Sequence, residues 1–142
     1  MLFSLVAAWG LMAVCVVAHA AAMPHLLRWL RRQRIAPQTL WPGTRLFVQL
    51  AGAVVLLHLA EIAVWACFYA WQRAMPDLAS ALYFSAVTYT TTGYGDLVLA
   101  REWRLVGAIE ALTGILMAGL STGLFFAVVG RLLRLDTRRA ES

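Results

Sequence analysis

Residues 90–96 read TTTGYGD, a polar, glycine-spaced stretch set beside the longest apolar runs of the chain. Inside a bilayer, main-chain N–H and C=O groups find no water. Non-helical backbone at that depth is tolerated only where protein covers it or where it lines a watery path. The reading of these seven residues decides what kind of molecule the chain builds.

The surroundings are those of a membrane protein. Of 142 residues, 62% are hydrophobic and 13% charged, well beyond the apolar fraction of an ordinary soluble domain. A bilayer crossing takes about 20 mostly apolar residues, and three stretches qualify: roughly 2–23, 46–71 and 105–133. They use most of the sequence, which leaves no room for a separate soluble domain.

All 12 basic residues are arginine. Arg28, Arg31, Arg32, Arg34 and Arg45 lie between the first two apolar stretches, and Arg131, Arg134, Arg138 and Arg139 follow the third. The positive-inside rule places both groups on the cytoplasmic side. Arg73, Arg101 and Arg104 flank TTTGYGD but are mixed there with Asp77, Asp96 and Glu102, so that region faces outward. The expected topology has the N-terminus outside, three crossings and a short cytoplasmic tail, in a cell membrane. The basic runs read as contacts to anionic lipid headgroups, not as a nucleic-acid surface. The three-residue spacing of Arg28, Arg31 and Arg34 resembles a voltage-sensing helix, but such a helix packs against several others within the field, and only one span precedes this stretch.

Ala18-His19-Ala20 has the small-residue pattern of a signal-cleavage site. No basic residue precedes the apolar run and arginines follow it, so a retained helix is expected. Cys15 and Cys67 both fall within spans and read as buried thiols. Between the first two spans, RWLRRQRIAPQTLWPG begins as a basic stretch and carries Pro37, Pro42 and Gly43. A short interfacial helix and then a turn are expected there.

After the second span, Asp77 stands after Pro76 as a helix N-cap, and LASALYFSAVTYT follows with apolar residues at helical spacing. A helix of about thirteen residues is roughly 20 Å long. Entering from outside, it stops within the membrane and delivers TTTGYGD near that depth. Gly93 and Gly95 accept positive φ, so they permit an extended strand whose carbonyls all point to one side. Arranged around a common axis, several such strands stack carbonyl cages from Thr91, Thr92, Gly93 and Tyr94, with the Thr91 hydroxyl, that replace the water of a dehydrated cation. Tyr94 is expected to pack behind the strand. The C-terminal, negative end of the short helix aims at the same axis and favours cations.

The stretch from Tyr83 to Asp96, YFSAVTYTTTGYGD, resembles the pore helix and selectivity filter of potassium channels, and the flanking spans resemble their outer and inner helices. The resemblance covers about residues 45–134. It implies an all-α membrane protein: an additional N-terminal helix (1–23), a basic cytoplasmic linker (24–45), a pore domain (46–133) and a short tail (134–142). Within the pore domain it implies an outer helix (46–72), a re-entrant pore helix (78–90), a filter (91–95) and an inner helix (103–133). One pore loop per chain implies a homotetramer that conducts K+ passively, the ion held at Thr91, Thr92, Gly93 and Tyr94 with Gly95 completing the filter. No cofactor is implied beyond the permeant ion. Two departures stand out. Thr92 occupies the position where valine is commonest, adding a hydroxyl that needs a partner. Val87 replaces a glutamate found in some prokaryotic members, and Glu110 is placed to supply a carboxylate from another direction. Tyr83 and Asp96 match positions that brace the filter, either by a mutual hydrogen bond or as two solvated groups. Gly114 lies near the hinge position of the inner helix, and reads equally as a site of close packing, as does the GxxxG pair Gly119 and Gly123.

His58 and Glu61 share one face near the middle of the second span. At that depth they must be paired, neutral or wetted. With Glu110 they read as structural glue, or alternatively as a pH-responsive gate. No Ser-His-Asp arrangement or phosphate-binding glycine loop is present, so an enzyme is not expected. The competing readings are a weakly selective cation channel and a non-conducting regulatory channel subunit. The tail is too short for a ligand-binding domain, and the sequence names no gating stimulus.

Overall fold

The computed structural model describes residues 2–32 and 40–140. These residues form an all-α protein of four helices, with no strand among them: α1 (Leu2–Arg32), α2 (Leu40–Trp71), α3 (Leu78–Tyr89) and α4 (Arg104–Ala140). Three are long and apolar enough to cross a membrane, over Leu2–Leu30, Gly43–Trp71 and Arg104–Gly130. The fourth, α3, has 12 residues and is too short to span.

Two core clusters fix how the helices lie. In one, Ala8 and Cys15 of α1 pack with Trp65, Phe68 and Tyr69 of α2, Phe84 of α3 and Val106 and Met117 of α4. In the other, Leu30 of α1 meets Leu46, Leu50 and Val54 of α2 and Leu124 and Val128 of α4. The N-terminal half of α1 thus lies with the C-terminal half of α2 and the N-terminal half of α4. It follows that α1 is antiparallel to α2 and parallel to α4, and that its N-terminus is on the same side as α3. The arginine-bearing ends of α1 and α4 and the start of α2 share the opposite side.

Helix boundaries differ from the sequence reading in the basic linker. Instead of a separate interfacial helix, α1 continues through Pro24 to Arg32. Proline removes one helical bond, but Leu26, Leu27, Trp29 and Leu30 beyond it pack on the second core cluster, and that burial outweighs the lost bond. Pro42 and Gly43, read as a break, lie in the first turn of α2, where a missing N–H is not needed. Residues 33–39, which include the turn at Pro37, lie outside the described residues, as do Glu141 and Ser142 of the tail. The helical part of the tail runs on from α4 to Ala140. Cys15 is buried, whereas Cys67 faces outward from the bundle.

The chain leaves α2 through a turn the sequence does not advertise. Arg73 adopts φ 53° and the N–H groups of Gln72 and Ala74 return to Phe68 and Tyr69 carbonyls at 2.9 Å, the left-handed helix ending usually built on glycine. Asp77 then caps α3, its side chain accepting the Ser80 N–H at 2.8 Å and the Ser80 hydroxyl at 3.0 Å. Rings of α2, α3 and the turn before α4 meet edge to face, Tyr69 on Phe84 at 5.3 Å and Phe68 on Trp103 at 5.8 Å.

Gly114 decides how closely α4 approaches the end of α3. A Cβ there would overlap the backbone carbonyl of Tyr89, a group that cannot rotate away, whereas one at Gly10 meets nothing within 4 Å. Overpacking of this kind costs about 1–3 kcal/mol. Gly114→Ala is therefore expected to lower the thermal midpoint of the purified protein measurably and Gly10→Ala to leave it in place; equal midpoints would show that α4 and α3 are not held at this distance.

Candidate functional site

The TTTGYGD segment begins where α3 ends. Thr90 closes the helix twice over, its N–H bonding the Ala86 carbonyl at 3.1 Å and its hydroxyl bonding the same oxygen at 2.7 Å. The Gly93 N–H returns to Val87 at 3.0 Å. Beyond the cap, φ is positive at Thr91 (59°), Gly93 (52°) and Gly95 (77°) but not at Thr92 or Tyr94. The two glycines take this conformation freely. Thr91 does not, and a non-glycine residue held there costs of order 1–3 kcal/mol. The sequence reading expected the glycines to supply the unusual backbone and missed that Thr91 shares it.

Residues Thr91 to Asp96 are exposed in the single chain. Tyr94, expected to pack behind the strand, is 73% exposed in the single chain. The added hydroxyl of Thr92 finds its partner in Thr90 at 3.0 Å. The Tyr83 hydroxyl donates to Asp96 at 2.7 Å, tying the middle of α3 to the far end of the loop. This bond holds the Asp96 carboxyl below the usual carboxylate range.

Behind α3 lie two carboxylates from the spans. Glu110, on α4, is fully buried. It accepts the Tyr69 hydroxyl of α2 at 2.7 Å and the Ser85 hydroxyl of α3 at 2.5 Å, so it reaches α3 through Ser85. Glu61, on α2, is also buried and accepts the Tyr89 hydroxyl from the last turn of α3. Its second oxygen meets His19 Nδ1 of α1 at 3.0 Å. His58 lies beside it, Nδ1 on the Tyr89 hydroxyl at 3.0 Å and Nε2 on Ser121 of α4 at 3.1 Å. The three residues grouped from the sequence thus divide: His58 and Glu61 belong together, and Glu110 belongs to a separate cluster. His19, Tyr89 and Ser121 complete the first cluster and were not picked out. A histidine in the middle of an apolar helix demands a partner, and that was the available signal for His19. Ala18-His19-Ala20 lies in the interior of α1, with His19 wholly buried.

A short apolar helix, a glycine-spaced loop with alternating sign of φ, and two flanking apolar spans form the arrangement of an ion-channel pore. The family model described as "Ion channel" matches residues 46–132, and the chain belongs to this family of two-helix channels, which includes potassium-channel pores. No curated protein and no solved structure matches it. The match starts within α2, so α1 lies outside it.

The sign of one pH effect follows from Asp96. A carboxyl held low in the folded state stabilises it above the ordinary value of about 3.9, and that contribution disappears as pH falls through the lowered value. Tyr83→Phe removes the cause. Current is expected to fade faster during prolonged opening, and its loss on acidifying the loop side to shift to higher pH. A variant whose fading and acid midpoint both match the parent would show that the bond does not brace the loop.

Proposed function

We propose that the chain assembles as a homotetramer in the cell membrane and conducts K+ passively along a filter formed by Thr91, Thr92, Gly93, Tyr94 and Gly95. The observation that carries this reading is the positive φ at every second residue, Thr91, Gly93 and Gly95. Alternating handedness turns successive peptide units the same way, so the carbonyls of Thr91, Thr92, Gly93 and Tyr94 form one row. Rows from several chains around an axis give the stacked oxygen cages that substitute for a cation's hydration shell.

Further support comes from exposure. Irregular backbone does not face lipid, and Thr91 to Asp96 are exposed in the single chain, as a loop that lines a watery path between neighbouring copies would be. The C-terminal end of α3 directs its partial negative charge at the loop, favouring cations. Tyr83 and Asp96 then act as the brace that keeps the row open. In this reading the loop and the N-terminus face outward, and the arginine-bearing ends meet anionic headgroups on the cytoplasmic side.

The test is flux through purified protein in liposomes, K+ against Na+, with Ba2+ as blocker, alongside calorimetric titration of the detergent-solubilised protein with each ion. Selective, Ba2+-sensitive K+ flux is expected, with K+ binding and no comparable Na+ binding. Equal K+ and Na+ permeation identifies a weakly selective cation channel. Absence of both flux and K+ binding in folded protein identifies a non-conducting subunit.

A further inference from the structure

The cluster around Glu61 forms a closed ring. His19 Nδ1 meets Glu61 Oε1, Glu61 Oε2 meets the Tyr89 hydroxyl, that hydroxyl meets His58 Nδ1, His58 Nε2 meets Ser121 Oγ, and Ser121 Oγ returns to His19 Nε2. Five contacts need five hydrogens. With neutral imidazoles and an ionised carboxylate, His19, His58, Tyr89 and Ser121 bring one each, and Glu61 brings none. Whatever the tautomers, the ring is one positive charge short of complete.

The geometry points to a divalent transition-metal site of Zn2+ type, in which His19 and His58, through Nδ1, and Glu61 are the protein ligands. Zn2+ binds imidazole nitrogen and carboxylate oxygen at about 2.0–2.2 Å, so ligand atoms on a tetrahedron stand about 3.4 Å apart. Here His19 Nδ1 is 3.0 Å from Glu61 Oε1 and His58 Nδ1 is 3.4 Å from Glu61 Oε2, and one donor atom from each of the three residues lies within 4.8 Å of the others. The remaining nitrogens fit the same assignment. Both Nε2 atoms face Ser121 Oγ, at 3.1 and 3.2 Å, so each N–H donates to one hydroxyl oxygen with two lone pairs. Orienting contacts of this kind accompany metal-bound histidines. With a metal in place no contact of the ring lacks a hydrogen: two N–H groups donate to Ser121 and the Tyr89 hydroxyl donates to Glu61. Three protein ligands leave a fourth position open.

Access is through a groove between α2, the end of α3 and α4. His58 is half-buried and lines a groove of about 520 Å³ with Val55, Tyr89, Thr91 and Gly114. The ligands come from α1 and α2, and Tyr89 closes the ring from the end of α3, so a bound metal pins α1 to the joint that carries the pore loop. The site does not depend on which ion the pore conducts.

The test uses the full chain in detergent micelles, with Co2+ as a spectroscopic stand-in. The expected result is one Co2+ per chain with the strong visible absorption of a tetrahedral complex, displaced by Zn2+, and a rise in thermal midpoint with Zn2+ concentration. His19→Gln and Glu61→Gln should abolish the absorption. Ser121→Ala, which leaves all three ligands, should weaken binding roughly 10- to 100-fold. His25→Ala, on the exposed side of α1, should change nothing. Folded wild-type chain that gives no tetrahedral Co2+ spectrum holds only a hydrogen-bonded ring, and the proposal fails. It fails equally if the spectrum survives His19→Gln or disappears in His25→Ala.

Discussion

Two buried carboxylates set the arrangement of this bundle. In lipid, apolar surfaces gain nothing by leaving the tails for one another, so helices associate through close packing and interhelical hydrogen bonds. Glu61 and Glu110 lie within apolar spans and are buried, and each takes its polar partners from other helices: His19 and Tyr89 for one, Tyr69 and Ser85 for the other. A carboxylate left without such donors carries a cost of several kcal/mol. Few placements of α1, α3 and α4 around α2 satisfy both at once.

The pore helix is the element both carboxylates share. Ser85 and Tyr89 are one turn apart on α3, and each binds a different carboxylate. Tyr89 contributes twice, its hydroxyl to Glu61 and its backbone carbonyl to the close approach of Gly114. The end of α3, from which the loop departs, is therefore held by α2 through a side chain and by α4 through the main chain. At the other edge, Tyr83 reaches Asp96 and fixes the far end of the loop. A strained residue such as Thr91 persists only where its surroundings over-determine it, and these attachments do so.

Much of this was legible in the sequence. The spans followed from apolar length, the short helix α3 from Asp77 and the aromatic spacing that follows it, and the loop from glycines alternating with threonine and tyrosine. Local signals of that kind survive into the fold because nothing nearby opposes them. What was not legible depended on contacts between distant residues. Pro24 reads as a break, and it is overridden by leucines packing on α2 and α4. Arg73 takes a conformation usually reserved for glycine, with no sign in its own type. Glu110 and Glu61 look alike along the chain, and only their neighbours in space assign them to separate clusters. His19 lay in a small-residue triplet whose pattern drew attention to cleavage instead of to the imidazole.

The first helix changes where the domain ends. By family, the pore occupies residues 46–132, and a boundary drawn there excludes α1. By hydrogen bonding, the boundary is elsewhere: Glu61, inside that range, receives one of its buried partners from His19, outside it. Inherited module and energetic unit do not coincide in this protein. The helix that lies outside the family match is, by its packing and its buried hydrogen bond, part of the interior of the bundle.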